Sequence, residues 1–305
     1  MLQVRTGSRA NKLNHQLAPK SDAIAVDLLV NGDEAEVLEF LAQRPIHTVA
    51  MMSLIQDNGL ASPLNRGTFY GCRDLNGRLE GVALVGHATL IETVSDRALA
   101  ALAQMAQQCA GTHLIMGEKE RVADFWSHYA AAGRQHRLTC REWLFELSWP
   151  IEAREPVQNL RRATAAELEL VMPVQAELAF AESGINPLQI DPQGFRKRCL
   201  RRIEQGRTWV VIEDGKLIFK ADVISRTAAV NYLEGIWLCE ERRANGHGLR
   251  FMSDLMRRLL EETKSICLLV NETNKHAQSF YRKCGFHFRA TYETIFLPRL
   301  EQAQN

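Results

Sequence analysis

Residues 230–239 (VNYLEGIWLC) are an apolar run of strand length, and soon afterwards Leu249, Met252, Leu255, Met256, Leu259 and Leu260 recur at helical spacing. Between them lies Arg243-Ala244-Asn245-Gly246-His247-Gly248. A buried strand that passes through a glycine-bearing loop into an amphipathic helix restricts the chain to folds that layer helices on a sheet. A helix start built from small residues exposes its first N–H groups, and the helix dipole adds partial positive charge there. Such a start suits a phosphate or diphosphate, and Arg243 and Arg250 add formal charge nearby. The loop lacks the three glycines of a dinucleotide fingerprint and the Gly-Lys-Ser/Thr of a Walker loop. Taken alone it also reads as a plain connector.

A second stretch decides between these readings. Residues 265–270 (SICLLV) predict another strand, which runs into Asn271-Glu272-Thr273-Asn274 and then Ala277, Phe280, Tyr281, Lys283, Cys284, Gly285 and Phe286. Together, residues 236–248 and 268–286 resemble the two acetyl-CoA-binding motifs of the GNAT superfamily of N-acetyltransferases. The first is an Arg-x-x-Gly-x-Gly loop. The second is a Val-Asn-x-x-Asn run followed by Ala-x-x-Phe-Tyr-x-Lys. Two motifs in this order, separated by one helix and one strand, are far more specific than either alone. The resemblance covers about the last 150 residues, a normal domain length.

The resemblance implies acetyl-CoA as co-substrate, direct attack of an amine on the thioester, and no metal. By position, Ile236, Trp237 and Leu238 match the strand that pairs with the pantetheine arm. Arg243, Ala244, Asn245, Gly246, His247 and Gly248 match the loop that takes the diphosphate, and a Cβ at Gly246 or Gly248 would hold phosphates off the backbone. Asn274 matches the asparagine on the pantetheine side, and Tyr281 the tyrosine that serves as general acid at the sulfur. Glu234 shares a strand face with Ile236 and Leu238 and matches a strand glutamate used as general base. It also reads as a carboxylate paired with an arginine. Tyr232, Asp222 and Asn231 are further base candidates. Glu182 and Asn186 border the implied acceptor site. Two departures stand out: Glu240 replaces a common proline, and Glu240 and Glu241 put negative charge near the loop.

The chain has 305 residues, a net charge of +1 and nearly half apolar residues, which suits two domains of ordinary composition. Near-neutral charge gives no reason to expect nucleic acid or an anionic membrane as partner. No apolar run spans a bilayer and no signal-type segment opens the chain. The seven cysteines form no metal-ligand spacing and read as reduced thiols of a cytoplasmic protein.

Residues 1–23 are polar and aperiodic and read as a tail. Within 24–150, Asp33 with Glu36 predicts a capping box, 48–56 a helix, and Asn76-Gly77 a hairpin turn between strands 68–74 and 78–85. A helix over 96–109, a strand at 113–116, a helix over 121–132 and strands within 137–149 complete this half. After a linker at 151–157, residues 158–305 repeat the order. Leu160–Ala163 reads as a strand, Thr164 with Glu167 as a capping box, Asp191-Pro192 as a helix start, and Asp214-Gly215 as the hairpin turn. The two hairpins stand about 140 residues apart, and Val122, Phe125 and Trp126 stand where the second half has Ala277, Phe280 and Tyr281. This predicts an internal duplication: two tandem GNAT-like domains, each a mixed, largely antiparallel sheet flanked by helices. In the first, Glu92-Thr93-Val94-Ser95-Asp96-Arg97 replaces the glycine loop. A carboxylate there opposes anion binding and caps the helix instead. Trp126 replaces the tyrosine.

The expected function is N-acetylation of a small molecule, amino acid or peptide, with a homodimer left open. The other class is a CoA-binding sensor or assembly module without turnover. The basic run Arg196-Lys197-Arg198 with Arg201-Arg202 reads as a solvated helix face, or as a receiver of an acidic acceptor or the CoA 3′-phosphate.

Overall fold

The computed structural model describes residues 24–152, 154–243 and 246–298. In chain order the first half holds β1 (Val26–Leu28), α1 (Glu34–Leu41), α2 (Pro45–Asn58), β2 (Gly67–Arg73), β3 (Leu79–Gly86), β4 (Ala88–Thr93), α3 (Asp96–Ala106), β5 (Leu114–Glu118), α4 (Lys119–Tyr129) and β6 (Leu138–Ser148). The second half holds β7 (Arg161–Arg162), α5 (Leu168–Ser183), α6 (Pro187–Ile190), α7 (Pro192–Glu204), β8 (Thr208–Glu213), β9 (Lys216–Arg226), β10 (Val230–Leu238), α8 (His247–Leu260), β11 (Ser265–Asn271), α9 (Lys275–Lys283) and β12 (His287–Phe296).

The strands form one 12-stranded sheet ordered β1-β2-β3-β4-β5-β12-β6-β11-β10-β9-β8-β7. Read from either end, this order is the same with the halves exchanged. The duplication is therefore visible in the topology, with an added feature. Each half's fifth principal strand is flanked by the other half's last strand: β5 pairs with β12, and β11 with β6. At the centre β6 and β12 pair with each other, from His287↔Glu146 to Phe296↔Leu138. The first half thus lends β6 to the second, and takes β12 in return.

Alternation explains why β6 suits that place. Glu142, Leu144 and Glu146 face one side of the sheet, while Trp143, Phe145 and Leu147 face the other. Phe145 and Leu147 join the core beneath α8. Trp143 lies under two cations of α9, with Lys275 Nζ 4.8 Å and the Arg282 guanidinium 5.3 Å from its ring centre. Both are within cation–π range.

Helices cover both faces. α1 and α2 bury Val37, Phe40, Leu41, Met51 and Ile55 against Phe69, Val82 and Leu84, and α5 and α7 pack on the second half through Val171, Phe195, Cys199 and Val210. On the opposite face α3 and α4 sit over Ala83, Val85 and Ile115. α8 buries Phe251, Met252, Leu255, Met256, Leu259 and Leu260, side chains each worth roughly 1.5–3 kcal/mol of transfer free energy.

Local chemistry follows the sequence in most places. Gly77 takes φ +80 in the first hairpin, and Asp214 (φ 49) with Gly215 (φ 73) forms the second. The Thr164/Glu167 capping box forms, and Asp191 Oδ1 accepts from the Gly194 N–H at 2.8 Å. The Asp33/Glu36 box does not form. Asp33 Oδ2 instead accepts from the Val30 N–H at 3.0 Å, and Glu36 is drawn away into an ion pair with Arg73. The start of α3 is capped by the Ser95 hydroxyl, which accepts from the Ala98 N–H at 3.2 Å; Asp96 supplies no cap. The described part of the connection between the halves lies along α8. Buried Asp254 accepts from the Val157 N–H at 3.1 Å, and Ser253 Oγ donates to the Glu152 carbonyl at 3.1 Å.

Candidate active site

β10 and β11 run parallel and pair from Val230↔Ser265 to Leu233↔Leu268, then part. β10 turns away because it bulges. Its register against β9 shifts between Glu234↔Asp222 and Trp237↔Lys220, so Gly235 and Ile236 oppose Ala221 alone. Gly235 takes φ +59 there, a conformation that costs L-residues about 1–2 kcal/mol. β11 meanwhile continues straight to Asn271 along β6. The result is a wedge whose sides are the edge of β10 from Glu234 to Leu238 and the end of β11.

The outer end of the wedge meets the glycine loop. α8 begins at Gly246, with φ +76, no side-chain cap and no acidic residue in its first turn. A Cβ on Gly246 would meet nothing within 4 Å, so the position opens to solvent. Gly248 serves packing instead, because its Cβ would lie 3.2 Å from Phe280 and 3.5 Å from Leu238. His247 is half-buried against Phe251, with ring centres 6.1 Å apart. Arg243 folds back: its Nε donates to the Leu238 carbonyl at 3.1 Å, and Nη1 lies 3.4 Å from Glu240. Arg242 pairs with Glu213, and Arg250 donates to the Pro156 carbonyl at 3.1 Å. Ala244 and Asn245 lie outside the described residues. Asn274 caps α9, its Oδ1 accepting from the Ala277 N–H at 3.0 Å.

Tyr281 stands one residue past Phe280, which packs on the start of α8. Its ring meets Phe280 at 5.3 Å and Phe286 at 5.8 Å, and its hydroxyl has no partner among the described residues. Burial, with the Cys284 thiol beside it, pushes the phenol far above its ordinary range. At neutral pH it keeps its proton, as a general acid must.

At the inner end, Glu234 Oε1 accepts from the Tyr232 hydroxyl at 2.7 Å. Its partner is thus a phenol, and among the described residues no arginine is hydrogen-bonded to it. Two further carboxylates face it. Glu142 arrives on β6, where Oε2 accepts from the Thr294 hydroxyl at 2.9 Å. Glu182 arrives near the end of α5. It is an exposed residue whose carboxyl is nevertheless crowded by protein, and burial together with the Glu234 and Glu142 charges pushes it up to about 8. Burial also raises Glu142 and Glu234. Three carboxylates that resist ionising together are a reservoir for protons and a receiver for a cation. Asp222 is fully engaged by Lys220, Arg202 and Thr208. Asn231 is buried, and both its side-chain polar atoms lack a partner among the described residues. Asn186 caps α6, accepting from the Leu188 N–H at 2.9 Å. Arg196 and Arg198 pair with Glu169 and Asp191 at the surface.

Neither Glu142 nor Lys220 was singled out from the sequence. The signal for Lys220 was present: a lysine and an aspartate two apart inside the apolar run Leu217–Val223. Glu142 carried none, because its site is assembled by strand exchange.

The corresponding wedge of the first half is filled. β4 and β5 pair only from Ala88↔Leu114 to Leu90↔Met116. Beyond that point Arg44 bridges Glu92 and Glu118, His47 Nδ1 lies 2.9 Å from the Tyr292 hydroxyl, and Arg121 donates to Thr93 at 2.9 Å. The cavity left is about 40 Å³, room for a few waters but not for a pantetheine arm.

The sheet is thus parted beside a glycine-started helix, with the Glu234 carboxylate at the inner end of the opening. Residues 177–286 match the model of the acetyltransferase (GNAT) family. The match lies within the second half of the chain, and the fold of the whole chain is similar to that of solved GNAT structures, a tandem one among them. A Drosophila protein aligns with TM-score 0.64 at 13% identity, covering 90% of this chain and 98% of its own. A GCN5-related N-acetyltransferase from Sphaerobacter thermophilus aligns at 0.56 and 13%, covering 92% and 98%. A tandem GNAT protein from the clavulanic acid biosynthesis pathway aligns at 0.54 and 14%, covering 89% and 98%. No curated protein matches. Among the described residues no helix is long and apolar enough to cross a membrane.

Proposed function

We propose that this protein transfers an acetyl group from acetyl-CoA to the amine of a small molecule, amino acid or peptide. The observation that carries the reading is the parting of β10 from β11 after Leu233↔Leu268, with Glu234 at the inner end of the opening. Bound acetyl-CoA supplies an activated thioester carbonyl. The first-turn amides of α8 from Gly246 onward would hold its diphosphate, since no side chain caps them. The edge of Ile236, Trp237 and Leu238 would hold its arm.

The acceptor arrives as an ammonium. Glu142, Glu182 and Glu234 draw it in, and its charge favours their ionised forms. Glu234 takes the proton that must leave before nitrogen can attack, directly or through water. Tyr232 holds that carboxylate in place. Tyr281 gives its proton to the departing sulfur. The first half contributes Glu142 on β6 and no coenzyme site of its own.

The test is CoA release from acetyl-CoA across a panel of amines, with Tyr281→Phe and Glu234→Gln beside the wild type. Loss of proton transfer costs about 10²–10⁴-fold in rate. A chain that binds CoA but transfers to no amine would instead be a sensor or assembly module.

A further inference from the structure

Beneath the bulge of β10 lies Lys220, completely buried and standing in the middle of β9. A bulge leaves the extra residue of one strand without a ladder partner on the other. Here Gly235 is one of the two residues that oppose Ala221, and Lys220 Nζ donates to its carbonyl at 3.1 Å. Its other protons go to Gln175 Oε1 at 2.7 Å and Asp222 Oδ2 at 2.6 Å. All three donors of the ammonium are therefore used. Asp222 in turn accepts from Arg202 at 3.0 Å and from Thr208 at 2.7 Å. A buried ion pair is weak grounds for stability, because an apolar pair of the same volume often serves as well. The third bond of Lys220, to the bulge itself, is what an apolar pair would not provide.

We propose that Lys220 is a positioning residue of the transfer site: it pins the Gly235 bulge and so fixes both the splayed edge of β10 and the aim of Glu234. The inference rests on the acetyltransfer reading above. Steric fit supports it. A Cβ on Gly235 would lie 2.8 Å from both Lys220 Nζ and Gln175 Oε1 and 3.1 Å from Asp222 Oδ2, so bulge and ammonium are fitted to each other. The charges facing Glu234 come from every side: Lys220 and Asp222 on β9, Arg202 on α7, Glu182 on α5, Glu142 on β6, and the Tyr232 phenol on its own strand. Lys220, Arg202 and Asp222 together leave one net positive charge there, which favours the carboxylate.

Lys220→Met in the full chain tests this. It leaves Asp222 paired with Arg202 and Thr208, so no buried charge is orphaned. Three quantities are read: kcat with its pH profile, the affinity for acetyl-CoA, and the titration of the Glu234 carboxyl by carbon-13 NMR, assigned by its absence in Glu234→Gln. The expected result is a fall in kcat of about 100-fold, the cost of roughly 1 Å of misplacement. The acid limb and the carboxyl titration move to higher pH, and acetyl-CoA affinity falls several-fold, since the freed edge of β10 is the one that would hold the arm. Lys220→Gln keeps a donor without the charge. It should retain more of kcat than the methionine variant and show the same alkaline movement. Unchanged kcat and an unmoved titration in Lys220→Met, with only a lower melting temperature, would overturn the proposal. A wild type that releases no CoA with any amine, or a Glu234→Gln that keeps its rate, overturns the reading of Glu234 as base. The carboxyl titration then judges Lys220 alone.

Discussion

Two glycines that share a positive φ should respond very differently to alanine. Gly235 (φ +59) and Gly246 (φ +76) both occupy the left-handed region, and each pays roughly 1–2 kcal/mol for a Cβ there. At Gly246 nothing lies within 4 Å of the added atom, so that cost is the whole cost. At Gly235 the Cβ meets Lys220 Nζ and Gln175 Oε1 at 2.8 Å, both inside ordinary contact. One or the other must move, which breaks or lengthens bonds to a buried ammonium. Hydrogen bonds to charged groups are worth about 1.5–3 kcal/mol each, so Gly235→Ala should lose about 3–5 kcal/mol and Gly246→Ala about 1–2. The assay is urea denaturation of the full chain, followed by tryptophan fluorescence and circular dichroism. The slope with denaturant should be unchanged in both. Agreement of the two variants within about 1 kcal/mol would refute the account of the bulge as a fitted, buried polar joint.

Other outcomes follow from the same structure. Glu182→Gln should be more stable than wild type at alkaline pH. The wild-type carboxyl is raised to about 8 from 4.5, so its stabilisation is complete below 4.5 and is lost as pH climbs through 8. The gap in melting temperature should therefore open across that window and close in acid. Calorimetry should find one CoA per chain, because the first wedge is occupied by Arg44, Glu92, Glu118 and His47; a stoichiometry of two would contradict the asymmetry. Glu142→Gln should weaken the KM for a cationic acceptor several-fold without changing acetyl-CoA affinity. Gly248→Val should disturb the α8–α9 contact through Phe280 and lower thermal stability, an effect visible without ligand.

Much of this was legible in the chain itself. Periodicity located β10, α8, β11 and α9, since burial on one face imposes period two or 3.6. Asn76-Gly77 and Asp214-Gly215 marked the hairpins, because few residues take positive φ cheaply. Glu234 and Tyr281 could be proposed from the sequence because each lies inside a local pattern. The Asp33/Glu36 box misled because a box is only a local option, and Arg73 on β2 offered Glu36 a stronger partner.

What the amino-acid order alone determined is whatever nearest neighbours along the chain can enforce: the duplicated succession of helices and strands, the glycine-started helix, and the inequality of the two connecting loops. Only the tertiary structure decided that β6 and β12 change places, that Glu142 thereby joins Glu182 and Glu234, and that Lys220 reaches the Gly235 carbonyl. Those contacts join residues separated by 15 to 152 positions. The energy that selects them is the pairing of strand edges and the satisfaction of buried polar groups, which exist only once the sheet has closed.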